Sequence, residues 1–217
     1  MRRAIQLFLV FVVMVAGFAA PSTAAATTSH RNPSLSDLLT ELWTDILTAP
    51  ADGNPFNGGD RCNYLANGRV LAPFGGGVTD FSCDVVAGTK IFVIAYSAEC
   101  SDAEMGTPYY GEDERSLRKC ATKALSRLYA PRIAVDRHPV RISKVRTDFI
   151  EELLPADNLF GLSAGTPIKS SGLGWVTLVP PLSVGQHKIA VKISGLDAYG
   201  NPVQGITTTI NVRPAGH

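Results

Sequence analysis

The sequence predicts a mainly β chain: a β-sandwich with two α-helices packed on it and two disulfides. Three observations carry this. Residues 81–86 and 90–96 read as strands joined at Ala87 and Gly88, and the second is apolar at successive positions from Ile91 to Ala95, so both its faces must be covered. Residues 34–49 and 112–129 instead carry apolar side chains at helical spacing. Four cysteines, Cys62, Cys83, Cys100 and Cys120, bracket the central strands.

Residues 1–26 have the pattern of a secretory signal peptide, with Arg2 and Arg3 ahead of an apolar run and then a small-residue stretch. The apolar run is shorter than the ~20 residues a spanning helix needs. The expected organisation is a leader at 1–26, a flexible segment at 27–33, one secreted β-rich domain at 34–213 and a tail at 214–217. Removing Arg2 and Arg3 from 20 basic against 19 acidic residues leaves the mature chain one charge negative, which argues against nucleic acid as a partner.

An exported chain meets an oxidising environment, so the cysteines are expected to form disulfides. Of three possible connectivities, Cys62 with Cys83 and Cys100 with Cys120 is favoured, because each pair brackets a single local excursion. Each loop of about 20 residues would contribute on the order of 3 kcal/mol. Zinc is disfavoured, because there is no Cys-x-x-Cys pair and the histidines are scattered.

Along the chain, Ser34 and Asp37 form a capping-box pattern ahead of Leu35, Leu38, Leu39, Leu42, Trp43, Ile46 and Leu47, a helix that Pro50 ends. Residues 51–60 are turn chemistry. Asp52, Asn54, Asn57 and Asp60 could ligate calcium, but their spacing is not that of an EF-hand, and Asx-rich loops usually satisfy their own backbone. Residues 69–74 read as a strand, and Gly75, Gly76 and Gly77 as a flexible loop with no phosphate-cradle context.

In the second predicted helix acids lead and Lys119, Lys123 and Arg127 follow, with Cys120 on the inward stripe and Pro131 as a stop. Residues 133–136 and 140–145 read as strands about a turn at 137–139, and residues 148–154 as a short helix or turn. Strands at 175–179, 187–193 and 205–212 complete a β-rich second half.

The last of these alternate apolar and polar residues around Asp197-Ala198-Tyr199-Gly200-Asn201 and resemble the closing hairpin of bacterial immunoglobulin-like domains over about residues 172–213. The resemblance implies a sandwich, immunoglobulin-like or jelly-roll-like, though full immunoglobulin topology has no place for the helix at 112–129. The block Cys83-Asp84-Val85-Val86-Ala87-Gly88, then Ile91 to Ala95, then Cys100 resembles a group of uncharacterised secreted bacterial proteins sharing Cys-x-Val-x-Ala-Gly before an apolar strand. That resemblance brings no activity with it.

The catalytic signals are weak. Gly161-Leu162-Ser163-Ala164-Gly165 is a literal G-x-S-x-G, and Ser163, Asp197 and His217 occur in hydrolase order, but neither a strand before the serine nor a helix after it is predicted. Glu99, Asp102, Glu104, Asp148 and Asp157 flank apolar elements, and a carboxylate pair among them is what a glycosidase would need. Tyr96, Tyr109, Tyr110, Phe160 and Trp175 could line a carbohydrate surface. His138 and His187 read as lone surface histidines.

The reading is a secreted, non-catalytic binding or structural domain without cofactor or metal, whose partner is a cell-wall polymer or a surface protein. The alternative is an extracellular hydrolase with carboxylates near Glu99 and Asp157. Any ligand site should lie just past the central strand, at Tyr96, Glu99, Asp102 and Asp157.

Overall fold

The computed structural model describes residues 32–216; the leader read at 1–26, the segment to residue 31 and His217 lie outside the described residues. Helix α1, Leu35–Thr48, starts at the predicted capping box. Ser34 Oγ accepts from the Asp37 amide at 3.1 Å, and Asp37 accepts from the Ser34 amide at 2.8 Å. Leu38, Leu39, Leu42, Trp43, Ile46 and Leu47 form its buried stripe. Ala49, before Pro50, is already extended, as a residue preceding proline prefers. No helix of the described residues is long and apolar enough to cross a membrane.

Among the described residues eleven strands follow: β1 Cys62–Leu65, β2 Val70–Pro73, β3 Asp80–Val86, β4 Lys90–Ser101, β5 Arg132–Val135, β6 His138–Val140, β7 Ser143–Arg146, β8 Ile150–Leu153, β9 Pro167–Val179, β10 Gly185–Lys192 and β11 Ile206–Arg213. Helix α2 is Glu114–Ala124. One sheet runs β1-β2-β4-β9-β7 with β8 also on β9; the other runs β3-β11-β10-β5-β6. The predicted mainly β sandwich with two helices is thus the fold.

Strand β4 has both faces covered, as its unbroken apolar run requires. Ile91, Val93 and Ala95 pack between the sheets with Ile189, Val191, Ile210 and Val212. On the other face Phe92 and Ile94 lie under α1. A bulge between Ile94 and Tyr96 shifts the register against β9. Beyond it, Ala98 and Cys100 pack with Leu117 and Ala121 of α2.

Both favoured disulfides are present. Cys62–Cys83 joins β1 of the first sheet to β3 of the second, so it clamps the sandwich. Cys100–Cys120 ties the far end of β4 to α2.

Several local expectations are corrected. The strands expected at 81–86 and 90–96 are both present, and they lie in different sheets: β3 is parallel to β11 in one while β4 belongs to the other, so Ala87 and Gly88 carry the chain between layers. Residues 148–154 contain a strand, β8, because Ile150 and Leu154 find buried positions beside β9. Residues 140–145 divide between β6 and β7 in different sheets. The glycine run at 75–77 is closely packed in part: a Cβ on Gly76, at φ +55°, would lie 2.2 Å from the Pro55 carbonyl oxygen.

Candidate functional site

Strand lengths create the site. β4 has 12 residues, while β2 beside it has four and pairs only through Val70↔Lys90 and Leu71↔Ile91. The ladder stops because Pro73 has no N–H to donate onward. On that edge of β4 the next neighbour is the bridge between Ser101 and Tyr110. An outer edge is thus left open in the middle of a sheet, about 25–30 Å long at the usual rise per residue.

The direction of each peptide group follows from the flanking bonds. The Lys90 amide donates outward to Arg69, and the Ser101 amide donates outward to Tyr109, whereas the Asp102 amide points inward to Lys169 of β9. Alternation from Lys90 turns Ile94 outward, and alternation back from Ser101 turns Ser97 and Glu99 outward, with the bulge absorbing the change of phase. The outward N–H and C=O groups of Ile94, Ser97 and Glu99 have no backbone partner among the described residues.

A groove of about 760 Å³ runs along this edge, lined by residues 93–99, by the segment 73–79 that leaves β2, and by β10, β11 and the loop before β11. Its volume lies in the range of ligand sites. It has a lobe on each face of β4. Ser97 faces Gly174, and Gly174 and Gly172 look toward Leu39 and Trp43, so Ser97 and Glu99 lie on the α1 face. That lobe is walled by Trp43, Phe56, Phe74 and Phe160. Trp43 and Phe74 meet edge to face with centroids 5.7 Å apart. The other lobe, between the layers, holds Tyr96, Tyr109, Asp197 and Tyr199, with Tyr109 and Tyr199 edge to face at 5.5 Å.

Buried carboxyls define the α1-side lobe. Glu99 is 7% exposed, and the Ser170 hydroxyl donates to its Oε1. Burial, then the adjacent Glu104 carboxyl, pushes the Glu99 carboxyl well above the usual range, with the Ser170 bond opposing and Asp102 adding a smaller push. Glu104 accepts from the Ser101 hydroxyl at 3.2 Å, and burial raises it to about 7. Burial, then Asp197, raises the Tyr96 hydroxyl; burial, then Tyr96 and Asp197, raises that of Tyr109. Ser97 Oγ and Trp43 Nε1 are buried without a hydrogen-bond partner among the described residues.

The predicted site residues divide. Tyr96 and Glu99 line the groove. Asp102 sits beside Glu99 but is held by the Lys169 amide at 2.9 Å. Asp157 is exposed at φ +57°, on a turn whose carbonyl accepts from Ala51, and does not line the groove. Asp148 is likewise exposed and outside it. The carboxyls that share the groove with Glu99 are Glu104, beside it, and Asp197, in the lobe between the layers.

Other candidates are absorbed by local structure. Asn54 is fully buried, donating to Ile46 at 2.6 Å and accepting from Phe56, and Asn57 donates to Ala51, so the Asx-rich loop serves its own backbone. Ser163 lies in an exposed loop organised by Asn158, which donates to the Leu162 carbonyl, with no nucleophile elbow. His187, expected to stand alone, is instead paired: Nδ1 contacts Asp136 at 2.6 Å and Nε2 the Ser183 carbonyl at 2.8 Å.

No family model and no curated protein matches the chain. Among solved structures, a cysteine protease inhibitor from Entamoeba histolytica aligns over 67% of this chain and 95% of its own, at 14% identity and a TM-score of 0.26. Amebosin aligns over 66% and 96%, at 12% identity and a TM-score of 0.19. At these scores neither likeness bears on what the chain does.

Proposed function

We propose that this chain is an exported, disulfide-stapled binding domain that takes an extended polypeptide segment into the groove and pairs it with the outer edge of β4. The observation that carries this is the run of unpaired peptide groups at Ile94, Ser97 and Glu99, framed by Pro73 on one side and the Tyr110 bridge on the other. An added strand satisfies those groups and places its side chains alternately in the two lobes, the mode of β-strand addition. Export is supported by the leader pattern at residues 1–26 and by the pairing of all four cysteines. Of the two expected partner classes, a surface protein fits an open edge better than a cell-wall polymer, which has no peptide groups to complete a ladder.

The test is an amide chemical-shift titration of the labelled domain with a panel of blocked extended peptides and a panel of cell-wall oligosaccharides. Peptides should shift Ile94, Ser97 and Glu99. Shifts from oligosaccharides alone would replace this reading with a carbohydrate-binding one.

A second reading, a hydrolase of an extracellular polymer, draws on Glu99 and Glu104: two carboxyls on one groove with raised proton affinity are the setting of a general acid. It requires turnover of an oligosaccharide that Glu99→Gln and Glu104→Gln both abolish. Absence of product from the same oligosaccharide panel would remove it.

A further inference from the structure

Resting on the edge-pairing reading, we infer that the segment taken up beside β4 belongs to a partner protein and carries a lysine or arginine whose side chain enters the α1-side lobe to meet Glu99 and Glu104. Among the described residues the groove wall contains three carboxyls, Glu99, Glu104 and Asp197, and not one lysine, arginine or histidine. Such one-signed lining is complementary to a cation. A strand on the open edge sends every second side chain to the α1 face, where Glu99 lies. There the aliphatic stem of a basic residue would run past Phe74 and Trp43, whose ring faces add to cation binding.

Neither Glu99 nor Glu104 forms an ion pair among the described residues. Their hydrogen-bond partners are neutral, the hydroxyls of Ser170 and Ser101 and the Ser101 backbone, so a proton or a cation must offset the second negative charge. A bound ammonium or guanidinium takes the place of that proton, which passes to solvent. Binding of a basic segment should therefore strengthen as pH rises through the range in which the pair ionises, while lysine itself stays charged.

The probes are blocked heptapeptides of alternating valine and threonine, with one lysine placed at each position in turn, and their norleucine counterparts. Affinity is read by calorimetry at about pH 8 and about pH 5, and placement by amide shifts. With lysine in the matching position, the peptide should bind about tenfold or more tightly than its norleucine counterpart at the higher pH. The ratio should shrink at the lower pH and in Glu104→Gln. Equal binding of lysine and norleucine peptides at every position would overturn this inference and leave edge pairing standing. Failure of all peptides to shift Ile94, Ser97 and Glu99 would overturn both.

Discussion

Ser170 on β9 donates its hydroxyl hydrogen to Glu99 on β4, so a buried carboxyl is held across the ladder at the point where the opposite edge of β4 has no partner. The bond opposes, but does not cancel, the push of burial on Glu99. A proton-binding pair therefore sits in the wall of a groove that is open to a strand.

The raised carboxyls have a stability consequence. A group whose pKa is higher folded than unfolded binds more protons in the native state, so it withdraws stability as pH rises between the two values. For Glu104 that window runs from 4.5 to about 7. Glu104→Gln should flatten the loss of stability across it, by up to about 3 kcal/mol, as checked by denaturant melts at closely spaced pH. An unchanged pH profile would mean that Glu104 is solvated.

The disulfides differ in what they hold. Peptide mapping without reduction should recover Cys62 joined to Cys83 and Cys100 joined to Cys120. Replacing Cys100 and Cys120 by alanine should cost on the order of 3 kcal/mol. Exchange should rise first in α2, because that bridge ties α2 to β4.

His187 and Asp136 form a separate pH-dependent contact. Asp136, foremost, and the Ser183 carbonyl raise the imidazole from 6.5. With both ring nitrogens facing acceptors, the charged form is the one stabilised. The contribution is fully present below pH 6.5 and lost as pH rises through the folded value. His187→Gln should therefore destabilise the protein in mild acid and approach wild type in mild alkali; equal cost at both would contradict the pairing.

Gly76 and Gly77 both have positive φ, but only Gly76 is crowded by the Pro55 backbone. Gly77→Ala should cost about 1 kcal/mol for its backbone conformation. Gly76→Ala should cost more than about 2 kcal/mol, because the loop must also move. It should also shift groove resonances, since this segment is one wall of it.

What was legible in the chain was what depends on near neighbours. The capping box at Ser34, the doubly covered run from Ile91 to Ala95, and disulfides closing short loops follow from composition and spacing. The strand content and both helices were recoverable, although α2 proved shorter at both ends: Asp113 caps its start, and it stops at Ala124, after which the chain passes into turns that carry residues 125–128.

What depends on distant partners was hidden. β3 and β4 are consecutive in the chain, yet β3 pairs with β11 through residues such as Ile210 opposite Cys83. The His187 contact spans 51 residues, and β8 is a strand only because β9 is there to receive it. The sequence pairs Glu99 with Asp157, whereas Glu99 lines the groove and Asp157 does not. Glu104 is closer in sequence, and the turn after β4 folds it back onto Ser101.

The open edge of β4 is tested most directly by amide hydrogen exchange in the presence and absence of a bound lysine heptapeptide. Exchange at Ile94, Ser97 and Glu99 should slow about tenfold or more, while Tyr96, Ala98 and Cys100, which already face β9, change little. Slowing confined to side-chain lobes, with no change at those three outward amides, would contradict strand addition.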